Sequence, residues 1–267
     1  MRLAVCAEMV FTELPFVERV RRIHDAGFGV EMWDSRGKDL AALKATDAVF
    51  SSMTGYTSGS LVDPDTADDV VRTAESLVPT ALELGISRMV VHSAELIDGH
   101  AARPVYRSTG RMWSTGVRTL ERLGVLGEKY GVTFCLENLN TVLDHPGIPL
   151  ARAKDTLALV EAAGHPNVKL MLDLYHAQLG EGNLIELVRT ALPHIGEVQV
   201  ADVPGRCEPG TGEINYAAVA KALADAGYEG TVGMEAWASG GDAEALAAFR
   251  AAFTPQDTTT FSTEGTP

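Results

Sequence analysis

A single (β/α)8 barrel is the fold this sequence predicts, on three observations. Eight short, mostly apolar runs alternate with longer segments of helical periodicity along almost the whole 267-residue chain. Helical segments repeatedly end near a glycine just before the next apolar run, as in "DAGFGVEMW", "AAGHPNVKLML" and "DAGYEGTVGME". No Gly-x-Gly-x-x-Gly follows the first run, which removes the main sign of a doubly wound, nucleotide-binding sheet. Such a barrel needs about 250 residues, so residues 1–253 are predicted to form one catalytic domain.

The predicted strands are "LAVCAE" (3–8), "GVEMW" (29–33), "AVFSSM" (48–53), "RMVVHS" (88–93), "VTFCLEN" (132–138), "VKLMLDLYH" (168–176), "EVQVAD" (197–202) and "TVGMEAW" (231–237). Each is brief and apolar, as a parallel strand covered on both faces should be. Between them, the clearest helix places Val70, Ala74, Leu77, Ala81 and Leu84 on one stripe. Another runs from Tyr216 through Val219 and Leu223 to Ala226, with Gly227 suited to a C-terminal cap. Asp242 is expected to cap the N-terminus of a last helix through Leu246 and Phe249. The remainder, "TPQDTTTFSTEGTP" (254–267), is polar and aperiodic, and is expected to be a flexible tail.

The balance of 46% hydrophobic and 22% charged residues is ordinary for a globular chain. A net charge of -14 argues against nucleic acid and anionic membrane surfaces as partners. No stretch of about 20 apolar residues suggests a membrane span, and "MRLAVCAEMV" does not read as a signal peptide. Cys6, Cys135 and Cys207 have no metal-binding or disulfide-framework spacing. The expectation is a cytoplasmic enzyme with a small-molecule substrate, compatible with a homo-oligomer.

In a barrel of this kind the C-terminal strand ends face the active site. The fifth to eighth predicted strands end in Glu137, Asp173, Gln199 and Glu235, all able to bind a hard cation. Any one alone could be a salt-bridge partner. Three converging carboxylates, however, repel strongly at low dielectric unless a cation neutralises them. Oxygen donors favour Mg²⁺ or Mn²⁺ over zinc, so one divalent metal ion is expected. His92, at the end of the fourth strand, is a further candidate for lining the substrate site.

"FCLEN", "LMLDLYH", "VGMEAW" and above all "EPGTGEINY" (208–216) after "VQVAD" resemble the hydroxypyruvate isomerase group of xylose isomerase-like TIM barrels. The likeness runs to about residue 253 and is strongest from residue 131. It implies that Glu137, Asp173, Gln199 and Glu235 hold the metal. It also implies that Glu137 and Glu235 form an acid/base pair on opposite sides of the substrate, that His176 contacts a substrate oxygen, and that Arg206 binds substrate. The implied activity is isomerisation of a small keto acid or sugar, of the hydroxypyruvate or tartronate semialdehyde kind, through an enediolate. The alternative is a ketose 3-epimerase on the same site. A DNA-repair endonuclease of the related barrels would need a histidine-rich zinc cluster and a basic groove, against seven scattered histidines and an acidic chain.

Two stretches depart from the resembled group, which carries "LHN" at the end of the third strand and a lysine after the fourth. Here they read "MTG" (53–55) and "HSAEL", with Glu95 near the lysine's place. That weighs against hydroxypyruvate unless Arg103, Arg107 or Arg111 supplies the cation. Glu31 is expected to pair inside the barrel, and Glu213 to organise its loop with Gly210 and Gly212. Trp33, Trp113 and Trp237 are expected to pack in the core or wall the pocket.

Overall fold

The computed structural model describes residues 1–254; the predicted tail lies, from residue 255 on, outside the described residues. Eight parallel strands close into a barrel: β1 (Arg2–Cys6), β2 (Gly29–Met32), β3 (Phe50–Thr54), β4 (Arg88–Val91), β5 (Thr133–Glu137), β6 (Val168–Asp173), β7 (Ile195–Val200) and β8 (Thr231–Met234). Each pairs with its sequence neighbours, and β1 against β8 closes the ring. All eight predicted runs fall on these strands, with ends moved by a few residues.

The helices are α1 (Phe16–Asp25), α2 (Leu40–Lys44), α3 (Ala67–Glu83), α4 (Gly110–Tyr130), α5 (Ala153–Ala163), α6 (Leu174–Gly180), α7 (Leu184–Ala191), α8 (Tyr216–Asp225) and α9 (Asp242–Phe253). On α3 the stripe is inward as predicted, with Val70, Ala74 and Ala81 buried. Gly164 caps α5 in the left-handed region at φ 58°, a conformation that costs a β-carbon residue more than glycine. Among the described residues, no helix is long and apolar enough to cross a membrane.

The expectation for Asp242 needs correction. Gly241 holds the N-cap position and Asp242 is the first helical residue. Its Oδ1 instead accepts a hydrogen bond from the backbone N–H of Phe11 at 2.8 Å. Tertiary tethering of the loop after β1 outcompetes local capping there, while the charge still suits the first helical turn.

A short antiparallel hairpin, Leu96–Ile97 against His100–Ala101, interrupts the link from β4 to α4. It turns at Asp98 and Gly99, both with positive φ. An Asp-Gly pair is a strong hairpin signal, and the sequence carried it unread. Deeper in the barrel, Glu31 and Glu197 face each other as buried carboxyl groups. Gly233 makes room for them: a Cβ there would come within 2.0 Å of Glu31 Oε1. Burial first, then the charge and hydrogen bond of Glu197, holds the Glu31 carboxyl well above the usual range. The pair thus keeps a proton, as the expected interior pairing requires.

Candidate active site

Glu137 closes β5, Asp173 closes β6, Gln199 is next to last in β7, and Glu235 follows β8 directly. Register sets Asp173 beside Gln199, and Gln199 beside Gly233, two residues below Glu235. Residues two apart on a strand point the same way, so these side chains share one interior layer above Glu31 and Glu197. All four are buried, at 6% exposure or less.

One ligand atom from each of Glu137, Asp173, His176 and Glu235 lies within 4.8 Å of the others. Gln199 lines the same cavity, and its Oε1 is buried without a hydrogen-bond partner among the described residues. Leaving a buried carbonyl oxygen unpaired costs roughly 1–3 kcal/mol. A hard cation at the carboxylates would satisfy it. Three carboxylates and an amide oxygen, with an imidazole beside them, fit a divalent ion of the Mg²⁺ or Mn²⁺ type.

Local chemistry aims each group. Asp173 caps α6, its Oδ1 accepting from His176 N at 2.6 Å, so the three-residue spacing seats His176 next to the strand end. Asn138 locks β5 to β6 by bonding both backbone groups of Asp173, at 2.8 and 3.0 Å. The Asn140 carbonyl accepts from the N–H groups of Leu143 and Asp144, which turns its amide nitrogen toward His176 Nδ1 at 2.7 Å. With Nδ1 an acceptor, His176 Nε2 carries the proton, 3.9 Å from Glu137 Oε1.

The two glutamates are held by different partners. Glu137 Oε2 lies 3.0 Å from His92 Nε2, and His92 Nδ1 lies 3.0 Å from the Tyr56 hydroxyl. Glu235 accepts from Trp33 Nε1 on one oxygen and from Arg206 Nη2 on the other, each at 2.5 Å. Burial, reinforced by the charge of Glu235, pushes the Glu137 carboxyl well up against the opposing pull of Arg206. Burial likewise raises Asp173, although Arg206 opposes it. Burial pulls His92 down to about 4 and His176 well below its ordinary value, so both imidazoles are neutral.

Arg206 comes from the loop after β7 and adopts a positive φ of 53°. Its carbonyl accepts from Trp237 N at 2.9 Å, and its guanidinium lies 5.1 Å from the Tyr175 ring centroid. Asp202 builds this loop: its carboxylate accepts from the backbone N–H groups of Val203, Gly210 and Ile214. That corrects the role expected of Glu213, whose carboxylate takes a bond from the Gln178 side chain instead. Gly212 is needed for close approach, since a Cβ there would sit 2.1 Å from the Val203 carbonyl.

Every predicted site residue, Asp173 excepted, lines one cavity of about 300 Å³, and Asp173 belongs to the ligand cluster beside it. The cavity also takes in Tyr56 and His145, which no sequence pattern singles out. His145 Nδ1 holds the hairpin's Gly99 carbonyl at 2.6 Å, which fixes a wall of the cavity. Of the tryptophans, Trp33 walls the cavity, Trp113 packs against the core and Trp237 is exposed. Glu95 lines both the cavity and a neighbouring cleft, which also takes in Arg103 and Arg111, and Arg107 is exposed. The arginines proposed to replace the missing lysine therefore lie outside the ligand cavity.

The chain matches the family described as xylose isomerase-like TIM barrel over residues 13–254. It is 31% identical over 239 residues to a 2-oxo-tetronate isomerase of Haemophilus influenzae, covering 85% of this chain and 90% of that one. It is 29% identical over 255 residues to a hydroxypyruvate isomerase of Escherichia coli, covering 88% and 93%. Its matches to relatives from Mus musculus and Homo sapiens span only 63% and 46% of those proteins' length. Among solved structures, a family 2 AP endonuclease of Brucella melitensis superposes with a TM-score of 0.83 at 27% identity, covering 94% of this chain and 98% of that one. A D-psicose 3-epimerase of Clostridium cellulolyticum H10 reaches 0.75 at 21% identity, covering 96% and 100%, a likeness of fold alone.

Proposed function

The chain belongs to the xylose isomerase-like TIM barrel family, and from that premise we propose that it is a divalent-metal-dependent isomerase of small α-hydroxy carbonyl compounds. The observation that carries this reading is the convergence of three buried carboxylates on one cavity with the unpaired Gln199 oxygen. Glu137, Asp173, Gln199 and Glu235 would hold one Mg²⁺ or Mn²⁺. When bound, that ion supplies Lewis acidity, which lowers the barrier to forming a negatively charged enediolate.

The chain's own groups do the rest. One glutamate takes the proton from the hydroxyl-bearing carbon of the substrate. The same carboxyl, its proton exchanging with solvent, delivers a proton to the neighbouring carbon while the hydroxyl proton passes to the former carbonyl oxygen, so the carbonyl and hydroxyl exchange places without net oxidation. His92 holds Glu137 Oε2, while Trp33 and Arg206 fix both oxygens of Glu235. Held carboxylates lose little freedom on reaching the transition state, which favours proton transfer. His176 Nε2–H and the Arg206 guanidinium are the donors available to substrate oxygens. The hairpin pinned by His145 and the indole of Trp33 restrict water.

The relatives named as hydroxypyruvate isomerase and 2-oxo-tetronate isomerase support the reaction class. A ketose 3-epimerase is the second reading, favoured by the origin of the two glutamates on β5 and β8, with two strands between them in the barrel. Glutamates on opposed sides of a carbon could remove a proton from one face and return it to the other. The endonuclease reading suits the site poorly, because the cluster holds one histidine and the chain is acidic.

Proton NMR in D₂O tests the proposal. With Mg²⁺ or Mn²⁺ present, deuterium is expected to wash into hydroxypyruvate, tartronate semialdehyde or a small ketose. The absence of wash-in at any carbon of any of these compounds would overturn it. Product stereochemistry separates isomerase from epimerase.

A further inference from the structure

Resting on the isomerase reading, we propose that the site prefers an uncharged polyhydroxy carbonyl compound over a keto acid, with Glu95 as the residue that sets the preference. Chemistry fixes where a substrate carboxylate would go. The proton moves between two adjacent oxygen-bearing carbons, and these must lie at the glutamates. The carboxylate of a keto acid is outside that pair, and the cavity beyond the cluster is the space left for it.

The part of the cavity outside the cluster is formed by the loops after β2 and β4. Those loops contribute Asp34, Arg36 and Glu95 to its lining. Two cations line the cavity, and neither stands as a free charge in its outer part. Arg36 is bound to Asp34, with Nε at 2.7 Å and Nη2 at 2.6 Å from Oδ2. Arg206 is bound to Glu235 inside the cluster. Nearby Lys38 is taken by Glu8 at 2.6 Å. By contrast, no cation lies within ion-pair distance of Glu95 among the described residues: in the adjacent cleft, which Glu95 also lines, Arg103 pairs with Asp63 and Arg111 makes no ion pair with Glu95.

The outer cavity therefore offers a free carboxylate and no free cation. A second carboxylate brought there meets like charge in a partly dehydrated space, where repulsion is several times stronger than in water. A hydroxyl can instead donate to Glu95 and gain a charge-assisted hydrogen bond. The Tyr56 phenol, raised by burial and further by Glu95, stays protonated beside it, held by His92 Nδ1 and the Ala94 carbonyl. The named relatives' keto acids are thus disfavoured here by one side chain, although the reacting end of the site suits them.

The test compares hydroxypyruvate with dihydroxyacetone and erythrulose, in which a hydroxymethyl group or a longer polyol arm replaces the carboxylate. Deuterium exchange in the wild type is expected to favour a neutral ketose by about tenfold or more in kcat/KM. Glu95→Lys should shift the ratio toward hydroxypyruvate by at least about tenfold, and Glu95→Gln by a smaller factor. The Gln variant covers the case in which Lys disturbs the loop, with circular dichroism checking the fold of both. A wild type that prefers hydroxypyruvate, or a ratio that neither variant moves, would overturn the assignment.

If nothing exchanges, the isomerase reading fails, and binding decides the charge preference separately. Tartronate, a dianion, is titrated by quenching of tryptophan fluorescence, with Trp33 in the cavity wall as reporter. Glu95→Lys is expected to bind it about tenfold more tightly than the wild type; equal binding would refute the role given to Glu95.

Discussion

Two groups of buried carboxylates sit in this barrel, one interior layer apart, and they differ in what surrounds them. In the upper layer Glu137, Asp173 and Glu235 face Gln199, His176 and Arg206 at the cavity. In the lower layer Glu31 and Glu197 face mainly each other, with Arg88 Nε 3.6 Å from Glu197. The lower pair balances itself by keeping a proton. The upper group has an arginine, an unpaired amide oxygen and a third carboxylate, and a shared proton cannot satisfy all of these. Burial of acidic residues is therefore not the mark of a site. The mark is the convergence of three carboxylates and an unpaired amide oxygen on one cavity.

Four substitutions probe that contrast. Glu235→Gln should have the largest effect, lowering turnover by about 10³-fold or more with an unchanged circular dichroism spectrum; near-normal turnover would show that the acid/base assignment is wrong. Asp173→Asn should cost roughly 100-fold in Mn²⁺ affinity by calorimetric titration. Its amide can still cap α6, so the fold should survive.

Glu31→Gln should act on stability instead. The Glu31 carboxyl is raised in the folded chain, so the native state holds a proton that the unfolded chain releases above its ordinary 4.5. Wild-type stability is therefore fully present below that value and is lost as pH rises. Replacing Glu31 by Gln should remove that loss, so the variant gains stability over the wild type at pH 8 relative to pH 5 in urea unfolding, while leaving Mn²⁺ affinity within about threefold. Loss of metal binding would mean that the lower pair belongs to the site.

His92→Gln should have the smallest effect. Burial takes the imidazole from 6.5 to about 4. Between those values the unfolded chain binds a proton that the folded chain does not, so stability falls as pH drops. The variant should remove about 1–2 kcal/mol of that loss between pH 7 and 5. An unchanged pH profile would contradict a neutral, buried His92.

The candidate metal-binding residues were legible because each interrupts an apolar strand at its final positions. Glu137 and Asp173 cannot be explained as parts of a buried run, and the barrel period says which end of the strand is functional. Strand and helix boundaries were legible for the same reason, being set by local periodicity. What stayed hidden depends on contacts distant in sequence. Tyr56 reaches His92 across 36 residues, and His145 reaches Gly99 across 46. A loop tyrosine or histidine has no periodic neighbours to reveal its partner. Asp242 misled for a related reason: its local capping signal was sound, yet a backbone N–H from the loop after β1 claimed the carboxylate.

The most direct measurement is a crystal structure of the Mn²⁺-soaked protein with anomalous scattering recorded at the manganese edge. One peak per chain is expected, within about 2.0–2.4 Å of oxygens from Glu137, Asp173, Gln199 and Glu235. A peak between Glu31 and Glu197, or no peak at the strand ends at saturating Mn²⁺, would contradict the assignment of the upper layer as the metal centre.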